Sequence, residues 1–245
     1  MTDSLEYPFG TVDTGTAARW IHLSPEEDGP VWMLNLMKYK PMADYGDGSA
    51  STITGREADD IYAPTAVLHE LGATVPLFGD VTHQLTDDVA WERIGIVRYP
   101  SRASFFAMQN REDFQKQYVH KEAGMETTIV MGCVPDTVAD PTDAGRGPVV
   151  MRVRRFIEGA VPGPDPDGVV PVARFTVDGV ILGDGRVWDD VRFDRMDGSV
   201  LASLTDTGGV AEQVVVVVDP LLEDLIGSVV TAHEPSATGR RWEGG

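Results

Sequence analysis

Side chains able to move a proton or hold an anion are concentrated in the first half of this chain. Three of its five histidines, His69, His83 and His120, fall there in segments patterned like regular structure. A neutral imidazole transfers protons near pH 7, which is what isomerisation, aromatic cyclisation or enolate oxidation asks of an acid/base group. Tyr62 stands seven residues before His69, so on one continuous helix both lie beside an Ile61/Thr65/Leu68 stripe and can project into a cavity. The competing reading makes both of them boundary residues with wet polar tips. Asn35 interrupts an apolar run, where a buried amide without partners costs about 1–3 kcal/mol. It therefore bonds to a neighbouring loop, or it orients a carbonyl or oxyanion at a pocket wall. Tyr39 follows on the same face. Arg98 interrupts a second apolar run, Ile94 to Tyr99, and either holds a carboxylate or phenolate or pairs with a surface acid.

Other chemistries find less support. A metal site built from His69, His83 and His120 is an alternative because imidazole suits zinc, copper and iron. No two histidines, however, have H-x-x-x-H spacing. Cys133 is the only cysteine, so the chain has no intramolecular disulfide and no thiolate-rich metal site. It reads as a small apolar strand residue. Gly183-Asp184-Gly185 and Gly208-Gly209 lack the strand and helix of a nucleotide site and read as turns, and no G-x-S-x-G marks a serine nucleophile. With 39 acids against 20 bases and a net charge of −19, the mean field repels phosphate backbones and anionic lipid, which argues against nucleic-acid and membrane partners. No stretch reaches the length of a membrane span, and the N-terminus lacks the basic and apolar regions of a secretion signal, so the expected location is cytoplasmic.

The elements that must position these residues follow from periodicity. Val31 to Tyr39 is apolar on both faces and reads as a strand covered on both sides. After a loop from Lys40 to Ser51, helical spacing runs from Gly55 to Leu71, with Pro64 either kinking one helix or opening a second. Strands around Thr74 to Phe78 and Trp91 to Tyr99, a helix from Ser101 to about Tyr118 breaking near Asn110, and a strand at Thr127 to Val134 complete the order βαββαβ. That is the ferredoxin-like order, whose uncovered sheet face needs a partner.

The chain also repeats itself. G-P-V-W-M at Gly29 to Met33 returns as G-P-V-V-M at Gly147 to Met151, an offset of 118 residues. Leu85-Thr86-Asp87 returns as Leu204-Thr205-Asp206 at offset 119, and Ile96 to Pro100 as Val216 to Pro220 at offset 120. Solenoid repeats run at roughly 20 to 50 residues, so this period indicates two copies of a small domain. The expected boundaries are an N-terminal ferredoxin-like domain at 1–134, a linker at 135–147, a degenerate second copy at 148–233 and a flexible tail at 234–245. In copy two a Pro/Gly loop at Gly159 to Gly168 replaces the first helix, and V-A-R-F-T-V, V-I-L-G-D-G-R-V-W and D-V-R-F-D-R-M alternate like strands. Val153 stands where copy one has Asn35, consistent with a site retained only in copy one.

Five segments carry a resemblance. G-P-V-W-M-L-N-L-M-K-Y-K at 29–40, the helix carrying Tyr62, G-D-V-T-H at 79–83, read as a turn, R-Y-P-S-R at 98–102 and F-Q-K-Q-Y at 114–118 resemble the DUF1330 group of the dimeric α/β-barrel superfamily over residues 29–134. The chain departs from the group in having His120 where an arginine usually follows the last tyrosine. The resemblance implies a barrel of two sheets back to back, usually across a homodimer and here within one chain. It adds Tyr118 to Asn35, Tyr39 and Arg98 as a substrate contact. Relatives in that superfamily include cofactor-free monooxygenases, lactone isomerases, polyketide cyclases and haem enzymes.

The expectation is thus an α+β chain of tandem ferredoxin-like repeats forming a pseudo-dimeric α/β barrel, either as a single chain or as a homodimer of such chains. Its first expected function is a cofactor-independent oxygenase, cyclase or isomerase acting on a small apolar or aromatic metabolite. Asn35, Tyr39, Arg98 and Tyr118 would orient it, with Tyr62, His69, His83 or His120 as acid/base. The alternatives are a small-molecule carrier, an assembly subunit, and a metal- or haem-dependent enzyme.

Overall fold

The computed structural model describes residues 6–48, 50–143, 148–196, 198–205 and 208–233; the expected tail lies outside them. In chain order the elements are β1 (Glu6–Tyr7), β2 (Gly10–Val12), α1 (Thr14–Ile21), β3 (Val31–Tyr39), α2 (Gly55–Ile61), α3 (Thr65–Glu70), β4 (Thr74–Gln84) and β5 (Arg93–Tyr99). They continue with α4 (Arg102–Gln109), α5 (Glu112–Gly124), β6 (Met125–Val138), β7 (Val149–Phe156), β8 (Val170–Gly183), β9 (Asp190–Arg195), a 3-10 segment (Gly198–Thr205), β10 (Val210–Glu223) and α6 (Leu225–His233).

The strands hydrogen-bond in the order β8-β6-β3-β5-β4-β10-β7-β9, and β9 pairs back onto β8, closing an eight-stranded antiparallel barrel. The β1-β2 hairpin extends from β8. Alternation along β3 explains its apolar pattern. Trp32, Leu34 and Leu36 point into the barrel with Ile94, Ile96, Ile129 and Met131, while Met33, Met37 and Tyr39 point outward beneath the helices. The second half fills the same interior with Met151, Val153, Phe175, Phe193 and Val216, so one core draws on both halves. One end of the barrel is closed by α6, which buries Leu225 and Val229 in that core. There the Trp32 indole N–H donates to Ser228 Oγ at 3.0 Å.

Local chemistry sets the helix ends. Thr54 and Glu57 form a capping box at the start of α2, and Ser101 Oγ accepts from the Ser104 N–H at 3.0 Å to start α4. Pro64 separates α2 from α3, since its ring forbids a continuous helix. Two segments differ from expectation. β4 continues to Gln84, so the G-D-V-T-H segment is strand, held by β10 with His83 opposite Val217. β6 continues to Val138 through the expected linker because β8 supplies it with a pairing edge. V-A-R-F-T-V and V-I-L-G likewise form one strand, β8.

Within the first half the strand order is β6-β3-β5-β4, and within the second it is β10-β7-β9-β8. By position in its half, β5 therefore corresponds to β9. The sequence match at offset 120 instead joins β5 to β10, and the match at offset 119 joins residues just after β4 to Leu204 and Thr205 of the 3-10 segment, its last position, Asp206, lying outside the described residues. The match between β3 and β7 joins corresponding strands with opposite faces: Met33 points outward and Met151 inward. Val153 accordingly faces the barrel interior and is no counterpart of Asn35, which faces out.

The outward face of β7 carries Val150, which packs with Met196, Leu204, Val215 and Val217, and then Arg152 and Arg154, both almost fully buried. Arg152 makes a fork to Asp194 Oδ2 at 2.9 and 2.6 Å, and Arg154 a fork to Asp190 at 2.9 and 2.6 Å. No helix joins β7 to β8. The connecting loop is pinned by Asp165, which accepts from Arg152 at 2.8 Å and pairs with Arg192 at 2.7 Å. Charge pairs, together with a small apolar cluster beneath the 3-10 segment, thus cover the face that helices cover in the first half. Among the described residues no helix is long and apolar enough to cross a membrane.

Candidate active site

A cavity of about 660 Å³ lies between the outer face of the first-half sheet and the helices over it, a size typical of small-molecule sites. The sheet contributes Met33, Asn35, Val97 and Tyr99, the helices Tyr62, Phe105, Phe106, Phe114 and Tyr118, and the second half only Ile181, Leu182 and Leu222. Phe114, Tyr118 and Lys121 fall at helical spacing on α5, which presents them as one stripe. Tyr62 caps the end of α2. The break at Pro64 frees its ring to turn toward α5, where it meets Phe114 at 5.9 Å and Tyr118 at 6.0 Å edge to face.

Two glycines set the spacing of this wall. A Cβ on Gly124, the last residue of α5, would strike the Gly55 carbonyl, and a Cβ on Gly55 would strike the Gly124 carbonyl and come within 2.5 Å of Lys40 O. The helices carrying Asp59, Tyr62, Tyr118 and Lys121 touch backbone to backbone here because neither has a side chain at the contact.

The polar groups divide into a paired set and an unpaired set. Tyr39 donates to Asp59 Oδ2 at 2.6 Å, and Arg93 approaches the same oxygen at 3.4 Å. Arg93 is itself stacked 4.8 Å over Phe78 and bonded to Asp60 at 2.6 Å and Asp80 at 3.1 Å. Asp59, only 6% exposed, lines the cavity, and its Oδ1 accepts no hydrogen bond among the described residues. Neither phenol of Tyr62 or Tyr118 makes one either. Burial, with Tyr99, Tyr118 and Asp59 nearby, holds the Tyr62 phenol far above its ordinary range, and burial with Tyr7 and Glu122 does the same for Tyr118. Both therefore remain neutral donors. Lys121 is 9% exposed and lines the cavity, with Nζ 5.5 Å from the Tyr62 ring centre. Burial pushes its ammonium below the ordinary lysine value, against the opposing charge of Asp59.

Of the residues singled out in the sequence, the cavity brings together Asn35, Tyr62 and Tyr118, with Tyr39 one hydrogen bond behind Asp59. The Asn35 amide is anchored by donating to Met33 O at 3.1 Å, its own strand and not a loop. The others lie elsewhere. His69 is exposed on α3, whose buried face is Val67 and Leu68, so it shares no helical face with Tyr62. His83 is exposed on β4, and His120 bonds Tyr45 through Nδ1 at 2.8 Å at the surface. Arg98 shares the barrel-facing side of β5 with Ile94 and Ile96 and lies 5.5 Å over the Trp32 ring. No three His, Cys, Asp or Glu side chains among the described residues are grouped to hold a metal. The cavity lining has neither imidazole nor thiol to offer a haem iron; the axial-ligand types it does hold are the thioethers of Met33, Met37 and Met108 and the phenols of Tyr62, Tyr99 and Tyr118. Asp59 and Lys121 were missed in the sequence, although the 114/118/121 spacing was there to be read.

No protein-family model and no curated protein matches the chain. Solved structures similar to it include two of the RPA0582 protein. One, of methylated protein, is 28% identical, covers 52% of this chain and 95% of that one, and has a TM-score of 0.46. The other, described as a protein of unknown function from Rhodopseudomonas palustris, is 27% identical over 51% and 95% of the two chains, with a TM-score of 0.44. A mutant chlorite dismutase from Candidatus Nitrospira defluvii is 8% identical over 87% of this chain and 97% of that one, with a TM-score of 0.42.

Proposed function

We propose that the protein is an enzyme that binds a small, largely apolar or aromatic metabolite in this cavity and moves a proton next to a carbonyl, without a cofactor. The observation that carries this reading is the meeting, in one apolar cavity, of two unpaired neutral phenols, Tyr62 and Tyr118, with the free Oδ1 of Asp59. A carbonyl oxygen accepting from the phenols becomes more acidic at the adjacent carbon, and the developing enolate oxygen strengthens those same hydrogen bonds. Asp59 Oδ1 takes the carbon-bound proton, while Tyr39 and Arg93 hold the carboxylate in place through Oδ2. Asn35 lines the same wall and orients the carbonyl. Return of the proton to a different carbon is isomerisation, and attack of the enolate carbon within the molecule is cyclisation. An oxygenase that oxidises a substrate carbanion begins with the same proton removal.

The acid/base role therefore passes from the histidines to Asp59, with Tyr62 as donor. The depth of Asp59 favours an enzyme over a carrier, whose polar groups would gather at the mouth. We also read the like strand orders of the two halves as a duplicated ferredoxin-like unit, which makes this single chain a pseudo-dimer.

The test is hydrogen exchange in D2O with a panel of aryl ketones and aryl keto acids, followed by NMR. Exchange at the carbon next to the carbonyl is expected to accelerate with the protein and to fall at least tenfold in Asp59→Asn and Tyr62→Phe. Saturable binding of the same compounds with no accelerated exchange would make the protein a carrier.

A further inference from the structure

Lys121 is a buried ammonium that the fold leaves unanswered. The chain has 39 carboxylate side chains, yet among the described residues none forms a hydrogen bond or ion pair with Lys121. Other lysines of the first half are served: Lys38 bonds Glu126 at 2.6 Å, Lys40 bonds Glu122 O at 3.2 Å, and Lys116 bonds Glu112 at 2.7 Å. The carboxylate nearest in the cavity, Asp59, is already held by Tyr39 and Arg93. An unpaired buried charge is costly, and the face of the Tyr62 ring compensates it only partly. The side chain reaches an empty volume large enough for a bicyclic molecule and walled by Phe105, Phe106, Phe114 and Tyr118.

We propose that Lys121 is the counter-ion of an anionic ligand, so that the cavity takes an aromatic or alicyclic molecule bearing a carboxylate or phenolate. The apolar body of such a ligand lies against the aromatic wall, and its acidic oxygen completes the shell of Lys121, leaving the single O–H of Tyr62 and of Tyr118 to the carbonyl. This deepens the reading of the cavity as a substrate site, since it names the substrate's charge, and it does not depend on catalysis there.

The test uses two probes that share a ring system and differ in charge, 2-naphthoate and 2-naphthylmethanol, titrated calorimetrically into the full chain. The wild-type protein is expected to bind the acid at least tenfold more tightly than the alcohol. In Lys121→Met the two affinities should fall within about threefold of one another, with the alcohol unaffected. Lys121→Arg, which keeps the charge, should keep the preference, and circular dichroism verifies that both variants fold. The proposal is overturned if the wild-type protein binds the alcohol as well as the acid, if it binds neither probe at millimolar concentration, or if Lys121→Met retains the tenfold preference. The two readings can fail separately: loss of the acid preference with exchange intact removes only the anion site, and the converse removes only the catalysis.

Discussion

Replacing Gly124 with alanine tests whether the contact between α2 and α5 sets the cavity. At a helix end with room around it, this change is stabilising, because alanine exceeds glycine in helix propensity by up to about 1 kcal/mol. Here the new Cβ would strike the Gly55 carbonyl oxygen and stand 3.0 Å from its carbon and 3.1 Å from Ala58 Cβ. The obstacle is backbone, so no rotamer change relieves it and the helices must part. Overpacking of this kind costs about 1–3 kcal/mol, and a backbone obstacle belongs at the upper end. At about 2–4 °C per kcal/mol for a chain of this size, a cost of about 3 kcal/mol lowers Tm by roughly 6–12 °C. Because α2 carries Asp59 and Tyr62 while α5 carries Tyr118 and Lys121, ligand affinity should fall as well. Calorimetric melting of Gly124→Ala is compared with that of Gly29→Ala, where a Cβ meets nothing within 4 Å and a shift below about 2 °C is expected. A Gly124→Ala protein that melts at or above the wild-type temperature would refute the reasoning.

Three further outcomes follow from buried charge. Asp194→Asn should cost about 3 kcal/mol in denaturant unfolding, the low end for a broken buried pair, because it removes the fork from Arg152, which like Asp194 is 0% exposed, and leaves it only Asp165 as a carboxylate partner. Lys121→Met should raise stability at pH 7. The folded lysine titrates below its ordinary 10.5, so its penalty is complete below that lowered value and disappears as pH rises through 10.5, and the gain should shrink over the same window. Asp165 is pushed up by burial but held lower overall by the hydrogen bond and charge of Arg152 and by Arg192. Its contribution is present above pH 3.8 and lost as pH falls through the depressed folded value, so acid melts of Asp165→Asn should show a flatter decline below pH 3.8 than wild type.

The first half of the fold was legible because its periodicities are local. The two-faced apolar pattern of β3, the stop at Pro64 and the Ser101 cap each follow from residues a few positions apart. The second half was less so. Arg152, Arg154, Asp190 and Asp194 look like the charges of a solvated strand face, and only the return of β9 alongside β7 brings them together and buries them. Two of the three repeat matches join elements at different positions in their halves, and the third joins opposite faces, for a related reason: runs of valine and methionine recur in any buried strand, so they locate strands without fixing which strand corresponds or which face is inward. At the site, histidine was weighted for its ordinary pKa, yet the groups in the cavity are a carboxylate, two phenols and a lysine. Their reactivity depends on burial, which no spacing displays.

Closure of the barrel by one chain has a consequence for how this protein behaves and changes. Every seam is covalently tethered to the others, so dilution cannot separate the halves, and stability gains no contribution from protein concentration at the seams. A barrel assembled from two identical chains receives every substitution twice, once on each side. Here each substitution falls once, and the two outer surfaces are free to diverge, one hollow and walled with aromatic rings, the other packed with arginine–aspartate pairs and a small apolar cluster.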